Sequence, residues 1–163
     1  HLLNHAIFKS LLFLNAGAVE YATGTRQLRE LGGLYERMPV TSRTSLVASM
    51  SIAGIPPFNG FWSKLLIVIA CVAAGSYWLA LAAVLVSLLT LASFLKVQKY
   101  VFFAATGDKT EAAVEVPALM RVSMMLLAGL CLIASLLALT GVTTPYVIGS
   151  AMQVLKEGLL YAM

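Results

Sequence analysis

The sequence predicts an all-α, polytopic membrane protein of about four transmembrane helices, one of them discontinuous. Of its 163 residues, 60% are apolar and only 11% are charged, and the mean hydropathy is +0.90. A water-soluble core of this size has no use for so much apolar material. The apolar residues gather into runs at about 1–19, 45–72, 77–103 and 119–139, close to or above the ~20 residues that cross a ~30 Å hydrocarbon layer. The second run holds Pro56-Pro57 between Gly54 and Gly60, and a proline pair has no place in a helix interior. A transmembrane domain is expected over 1–142, followed by a tail over 143–163.

The first segment, His1 to about Val19, carries His1, His5 and Lys9 at i, i+4 and i+8 among Leu2, Leu3, Ile7, Phe8, Leu11, Leu12 and Phe13. Four-residue steps keep the three side chains on one slowly drifting face, about 6 Å apart along the axis, so the row is roughly 12 Å long. Imidazole changes charge near neutral pH, which suits the row to passing protons through intervening waters. Asn4 and Ser10 add hydrogen-bonding groups beside it. Histidines at i and i+4 can also share a metal ion, but no third ligand accompanies them and no metal is assigned. A plainer reading leaves His1 in a polar loop at the edge of the sequence. The chain opens on an apolar helix pattern without Met or a leader, so the start of a longer polypeptide is expected before it.

From Glu20 to Arg43 the hydrophobicity collapses. Gly24, Gly32, Gly33 and Pro39 punctuate a connector that carries Arg26, Arg29, Arg37 and Arg43, and the piece TRQLRELGGLYERMP is expected to hold a short surface helix ending at Gly32. The arginines place this connector on the cytoplasmic side. Glu20 reads as a solvated carboxylate paired with a nearby arginine.

An unbroken helix from Ser45 to Val72 would rise roughly 40 Å, longer than the membrane core. Pro56 and Pro57 supply no backbone donor, and Pro57 drives Pro56 out of the α region, so carbonyls are left without helical partners. Gly54 and Gly60 let the chain turn there. Such backbone is tolerated at membrane depth only where protein encloses it or it lines a wet cavity. One turn beyond Gly60 stands Lys64, among Phe61, Trp62, Leu65, Leu66 and Ile67. An ammonium at the bilayer centre costs about 2.5–3.5 kcal/mol on insertion scales and needs a partner or water. Lysine beside a proline break is the pattern of an ion path; the plainer alternative is a lysine near a helix end that snorkels to the headgroups.

The uncharged AAGS at 73–76 reads as a short outer turn. A third span, Tyr77 to about Phe103, has Tyr77 and Trp78 at one boundary and Tyr100, Phe102 and Phe103 at the other, as an aromatic belt would. Ser87, Thr90 and Ser93 form a weak polar stripe inside it. Near its inner end Lys99 reads as a snorkelling anchor, and Lys96, one turn deeper, as either an anchor or an exit residue for the ion. The loop 104–118, with Asp108, Lys109, Glu111 and Glu115 before Arg121, returns to the face of the arginine connector. The fourth span has no charge after Arg121 and reads as structural. The tail, with Pro145, Gly149, Gly158 and Lys156-Glu157, suits an interfacial helix or a contact for a neighbouring subunit better than a fifth span.

Several classes are excluded. The net charge of +4 comes with no basic block interleaved with aromatics, which argues against nucleic acid. Cys71 and Cys131 stand alone in apolar segments, giving no ligand set for iron–sulfur, haem or zinc, and no glycine-rich phosphate loop is present.

The pieces HLLNHAIFKSLLFLNAGAV, TGTRQLRELGG, MPVTSRTSLVASMSIAGIPPFNGFWSK and LASFLKVQKY closely resemble the antiporter-like membrane subunits shared by respiratory complex I, Mrp-type sodium/proton antiporters and energy-converting membrane-bound hydrogenases. The resemblance runs roughly from His1 to Tyr100. It implies two inverted five-helix repeats, each with one discontinuous helix, of which this chain corresponds to about the final third. It places His1, His5 and Lys9 on the central proton relay. Lys64 falls on the charged residue of the second broken helix, where exchange with the outer side occurs. Some members carry Glu at that position, so Lys64 leans toward the sodium/proton-antiporter and lysine-bearing complex I types; FNGFWSK and FLKVQKY look most like hydrogenase- or formate-hydrogenlyase-related complexes.

The leading expectation is thus a cation-translocating subunit, for protons or sodium, of a redox-driven complex in the cell inner membrane. It would contain no redox centre itself: iron–sulfur clusters, a NiFe centre, flavin or quinone would sit in partner subunits, which would include further antiporter-like chains. The alternative is an Mrp-type Na+/H+ antiporter subunit without redox chemistry. A purely structural scaffold is disfavoured, because it leaves ionisable groups inside apolar helices without a reason.

Overall fold

The computed structural model describes residues 1–107 and 109–139. Every regular element among them is helical: α1 (Leu2–Thr23), α2 (Leu34–Arg37), α3 (Pro39–Ala53), α4 (Asn59–Ala73), α5 (Tyr77–Gln98) and α6 (Ala118–Leu139). A short 3-10 turn precedes α2, and α5 continues as a π-helical turn over Lys99–Phe103. Leu2–Thr23, Tyr77–Phe103 and Ala118–Ala138 are long and apolar enough to cross a membrane. The α3–α4 pair, interrupted at Gly54–Phe58, supplies the fourth crossing.

α3 is the central element, packed by α1, α5 and α6. Its sequence explains this position. Thr41, Ser42, Thr44, Ser45, Ala48, Ser49, Ser51 and Ala53 are all buried, and small side chains let neighbouring backbones approach closely where lipid offers no hydrophobic drive for helix association. The large apolar side chains face outward: Trp78, Leu89 and Leu119 are 82%, 68% and 80% exposed, as lipid-facing groups are. A smaller apolar core of Phe8, Leu11, Met38, Phe102, Met124 and Cys131 closes the bundle interior.

Polar cross-links fix the register. Thr44 Oγ1 donates to Asn15 Oδ1 at 2.8 Å, tying α3 to α1. Gln98 Nε2 donates to Ser45 Oγ and Ser49 Oγ, both at 2.9 Å, tying α5 to α3. At the start of α3, Glu115 accepts from Val40 N (2.8 Å), Thr41 N (3.3 Å) and Thr41 Oγ1 (2.6 Å). A carboxylate here meets free amides and the positive end of the helix.

The two charged connectors share one end of the bundle, as the span count requires. Lys109 Nζ lies 3.8 Å from Glu30 Oε2, and Gly107 packs on the backbone of Glu30 and Leu31 with no room for a Cβ.

Boundaries shift in three places. α1 runs on to Thr23, where Gly24 takes a left-handed φ of 69° and donates to Glu20 O. The second span begins at Pro39 rather than Ser45: proline suits a first helical position, Glu115 supplies the missing cap, and the Thr/Ser residues that lower the hydropathy there are buried rather than solvated. The expected surface helix ending at Gly32 is replaced by the 3-10 turn Leu28–Glu30 and the single turn α2. Gly33, at φ 67°, reverses the chain between them while packing against Thr106. The tail 143–163 and Asp108 lie outside the described residues.

Candidate functional site

In an unbroken helix, the carbonyls of Ile52 and Ala53 would accept from the amides of residues 56 and 57. Both of those residues are proline, so neither carbonyl has a backbone donor. Lys64 supplies one: its Nζ donates to Ile52 O at 2.8 Å and to Ala53 O at 3.3 Å. The half-buried ammonium therefore sits on the carbonyl end of α3, where the partial charge of the helix is negative.

Two glycines make this reach possible. Gly54 has φ 79°, the left-handed conformation that ends many helices. A Cβ placed on it would stand 2.8 Å from Lys64 Cδ, so the lysine stem lies over a bare backbone. A Cβ on Gly60 would run into the Ser51 carbonyl. The two half-helices thus cross backbone on backbone, which sets Lys64, one turn on, level with the end of α3.

The amino-terminal end of α1 meets the same place. Asn4 Nδ2 donates to Asn59 O and Asn59 Nδ2 to Asn4 Oδ1, each at 3.2 Å. His1 Nδ1 lies 2.9 Å from Ser63 Oγ, and that hydroxyl also donates to Gly60 O at 3.2 Å. From α6, Ser135 Oγ donates to Pro57 O and accepts from Trp62 Nε1 at 3.0 Å. The break is accordingly held by side chains from both flanking helices. The buried oxygens Asn59 Oδ1 and Gln98 Oε1 have no partner among the described residues.

The expected row on α1 is present. The His1 and His5 rings are 6.0 Å apart between centroids, and His5 meets Phe8 edge-on at 5.3 Å. Both imidazoles are exposed, while Lys9 is half-buried with its amine 5.9 Å from the Phe13 ring centre. Lys9 lines a groove of about 610 Å³ between α1, α3 and α5, together with Asn15, Glu20, Arg26, Ser45 and Ser49. At its end Glu20 Oε1 lies 2.8 Å from Arg26 Nε. That hydrogen bond, and then the charge itself, raise the Arg26 guanidinium further above its ordinary range. The structure therefore joins His1 to the Lys64 helix through Ser63 and sets Lys9 in a groove toward the charged end.

Lys96 is different. It is exposed on α5, and among the described residues no hydrogen bond, ion pair or ring contact links it to the other four. The hydroxyls of Ser87, Thr90 and Ser93 each donate to the carbonyl four residues back on their own helix. Sequence reading missed Asn15, Thr44, Gln98, Ser135 and Glu115. The signal for Asn15 was a lone amide in an apolar run, which marks a buried hydrogen bond, whereas Gln98, between Lys96 and Lys99, carried no such signal.

A family model described as "NADH:quinone oxidoreductase/Mrp antiporter, TM" matches residues 1–90. The chain belongs to this family. This family member is a multi-pass membrane protein with the antiporter-like fold. A Na(+)/H(+) antiporter subunit of Alkalihalophilus pseudofirmus is 58% identical to it over 64 residues, which cover 39% of this chain and 8% of that protein. The chain thus spans about a twelfth of the length of the curated relatives it matches. Among solved structures, the Mrp complex from Dietzia sp. DQ12-45-1b aligns over 93% of this chain and 38% of that one, with a TM-score of 0.75 and 29% identity. The membrane-bound sulfane sulfur reductase, an archaeal respiratory membrane complex, aligns over 81% of this chain and 22% of that one, with a TM-score of 0.76 and 32% identity.

Proposed function

We propose that this chain is part of a cation-translocating subunit in which Lys64 passes charge across the break between α3 and α4. His1, His5 and Lys9 carry protons to and from it. The observation that supports this reading most is the Lys64 ammonium on the two carbonyls stripped of donors by Pro56 and Pro57. An intramembrane amine held this way is stabilised without a permanent counter-ion, so its proton can leave without stranding a buried carboxylate. Ser63, next to Lys64 on α4, meets His1, and the oxygens of Asn59 and Gln98 without a partner among the described residues are sites where water would complete the hydrogen bonding.

Of the two settings expected from the sequence, the order reverses. Identity of 58% to a Na+/H+ antiporter protein favours an Mrp-type antiporter, which couples sodium and proton movement without redox chemistry. The redox-driven setting, with iron–sulfur, NiFe, flavin or quinone groups in partner subunits, is supported by the 32% identity to the sulfane sulfur reductase complex. In either setting the partners are other membrane subunits. The four arginines of the connector set it on the cytoplasmic side of an inner membrane, the 104–118 loop shares that end of the bundle through Lys109 and Glu30, and Lys96 serves as an anchor near that face.

The test is Lys64→Ala in the complete complex, reconstituted into proteoliposomes. Assembly is expected to survive and cation-coupled proton movement to be lost. Wild-type proton movement in an assembled Lys64→Ala complex would remove the role assigned to this residue.

A further inference from the structure

The carbonyls of Ile52 and Ala53 are a cation site already occupied, by a cation tethered to the same chain. We propose that this pair of oxygens binds a monovalent alkali ion, and that the Lys64 ammonium is its built-in competitor. The inference deepens the transport reading above by naming the ligand and the rule of exchange.

Three observations carry it. First, both oxygens lack backbone donors because the residues four positions on are Pro56 and Pro57, so nothing but a side chain, water or ion can satisfy them. Second, they are neutral oxygens at the carbonyl end of a 15-residue helix; oriented carbonyl dipoles are the ligands from which proteins build alkali-ion sites, and half-helix ends at a break are where such ions sit. Third, the ammonium can leave without disturbing the backbone. Its stem crosses Gly54, where a Cβ would lie 2.8 Å from Cδ and 3.6 Å from Cε, and it is held there by its bonds to the two carbonyls alone among the described residues. Rotation of the stem vacates both oxygens.

Two unit positive charges cannot share oxygens a few ångströms apart. An alkali ion therefore enters only as the ammonium swings away or loses its proton, and returns to solution as the protonated amine comes back. The His1 imidazole reaches the Lys64 helix through Ser63. One site that holds either ion but never both is the minimal device for exchange rather than co-transport.

The experiment measures equilibrium binding of radiolabelled Na+ to the full-length protein in its assembled complex, at constant ionic strength with choline as the replacement ion. Lys64→Met keeps the stem of the side chain as far as Cε but carries neither charge nor donor, and is expected to bind Na+ about ten-fold or more tightly than wild type. Lys64→Arg, permanently cationic, is expected to bind no more tightly than wild type. A readout independent of any variant is the nitrogen NMR signal of isotope-labelled Lys64 in wild-type complex, which should shift with Na+ and not with choline. Equal Na+ affinity of wild type and Lys64→Met, or an ammonium signal unmoved at saturating Na+, overturns the site. The two readings fail separately. An assembled Lys64→Met complex that has lost exchange without gaining Na+ affinity overturns only the alkali-ion site, whereas one that keeps exchange overturns the transport role of Lys64.

Discussion

Gly60→Ala is the smallest change that should disable the break. The added Cβ would overlap the Ser51 carbonyl oxygen and stand 2.8 Å from its carbon and 3.6 Å from Ser51 Cα. All three are main-chain atoms, so no rotamer change relieves the clash. Ordinary contacts to carbon begin above about 3 Å, and clearing the overlapped oxygen moves the start of α4 away from the end of α3 by roughly 1.5 Å. Lys64 rides on α4, one turn on, and its second bond is already 3.3 Å long. The same displacement carries Ala53 O out of hydrogen-bonding range. Overpacking of this kind costs about 1–3 kcal/mol, and loss of a hydrogen bond to a charged donor adds about 1.5–3 kcal/mol at that bond. The expected outcome is a lowered melting temperature of the detergent-solubilised complex together with a loss of cation exchange on the order of ten-fold or more. Gly129→Ala on α6 is the control: a Cβ there meets nothing within 4 Å, and alanine favours a helix interior over glycine by about 0.5–1 kcal/mol. It should melt no lower than wild type and exchange normally. A Gly60→Ala complex indistinguishable from the Gly129→Ala control in both assays would refute the argument that backbone contact at the break positions Lys64.

Other outcomes follow from the same geometry. Glu115→Ala removes the cap from α3 and should cost about 2–3 kcal/mol, with Glu115→Gln retaining part of it. Thermal melts measure the size of the effect, and faster amide exchange at Val40 and Thr41 locates it. Ser135→Ala strands the Pro57 carbonyl and the Trp62 indole, costing about 1–2 kcal/mol; a shift in Trp62 fluorescence reports it, and an unmoved spectrum would contradict the bond. Arg26→Ala removes an exposed pair with Glu20, and exposed pairs contribute little, so the melting temperature should stay where it is.

Much of the site was legible because proline chemistry is local. Pro56-Pro57 dictates which two carbonyls lose their donors, whatever surrounds them, and a lysine one turn past Gly60 in an apolar run requires something to bind. The four-residue spacing of His1, His5 and Lys9 likewise fixes a shared face on any helix. What resisted reading was polarity used for packing. The Thr/Ser-rich start of α3 looks like a loop by hydropathy, yet its hydroxyls are buried against Asn15, Gln98 and Glu115, all distant in sequence. Lys96 reads from the sequence as either an anchor or an exit residue, and only the fold shows it exposed on α5, with no contact to the candidate site among the described residues.

Residue order alone therefore determined a multi-pass helical protein, the place of its break and the chemical type of its charged groups, because these follow from helix period, missing amides and the cost of charge in hydrocarbon. The tertiary structure decided which oxygens the Lys64 amine binds, that Gly60 rests on Ser51, and that His1 reaches Ser63. Those pairings depend on how the half-helices cross and on neighbours far along the chain, and no local pattern encodes a crossing.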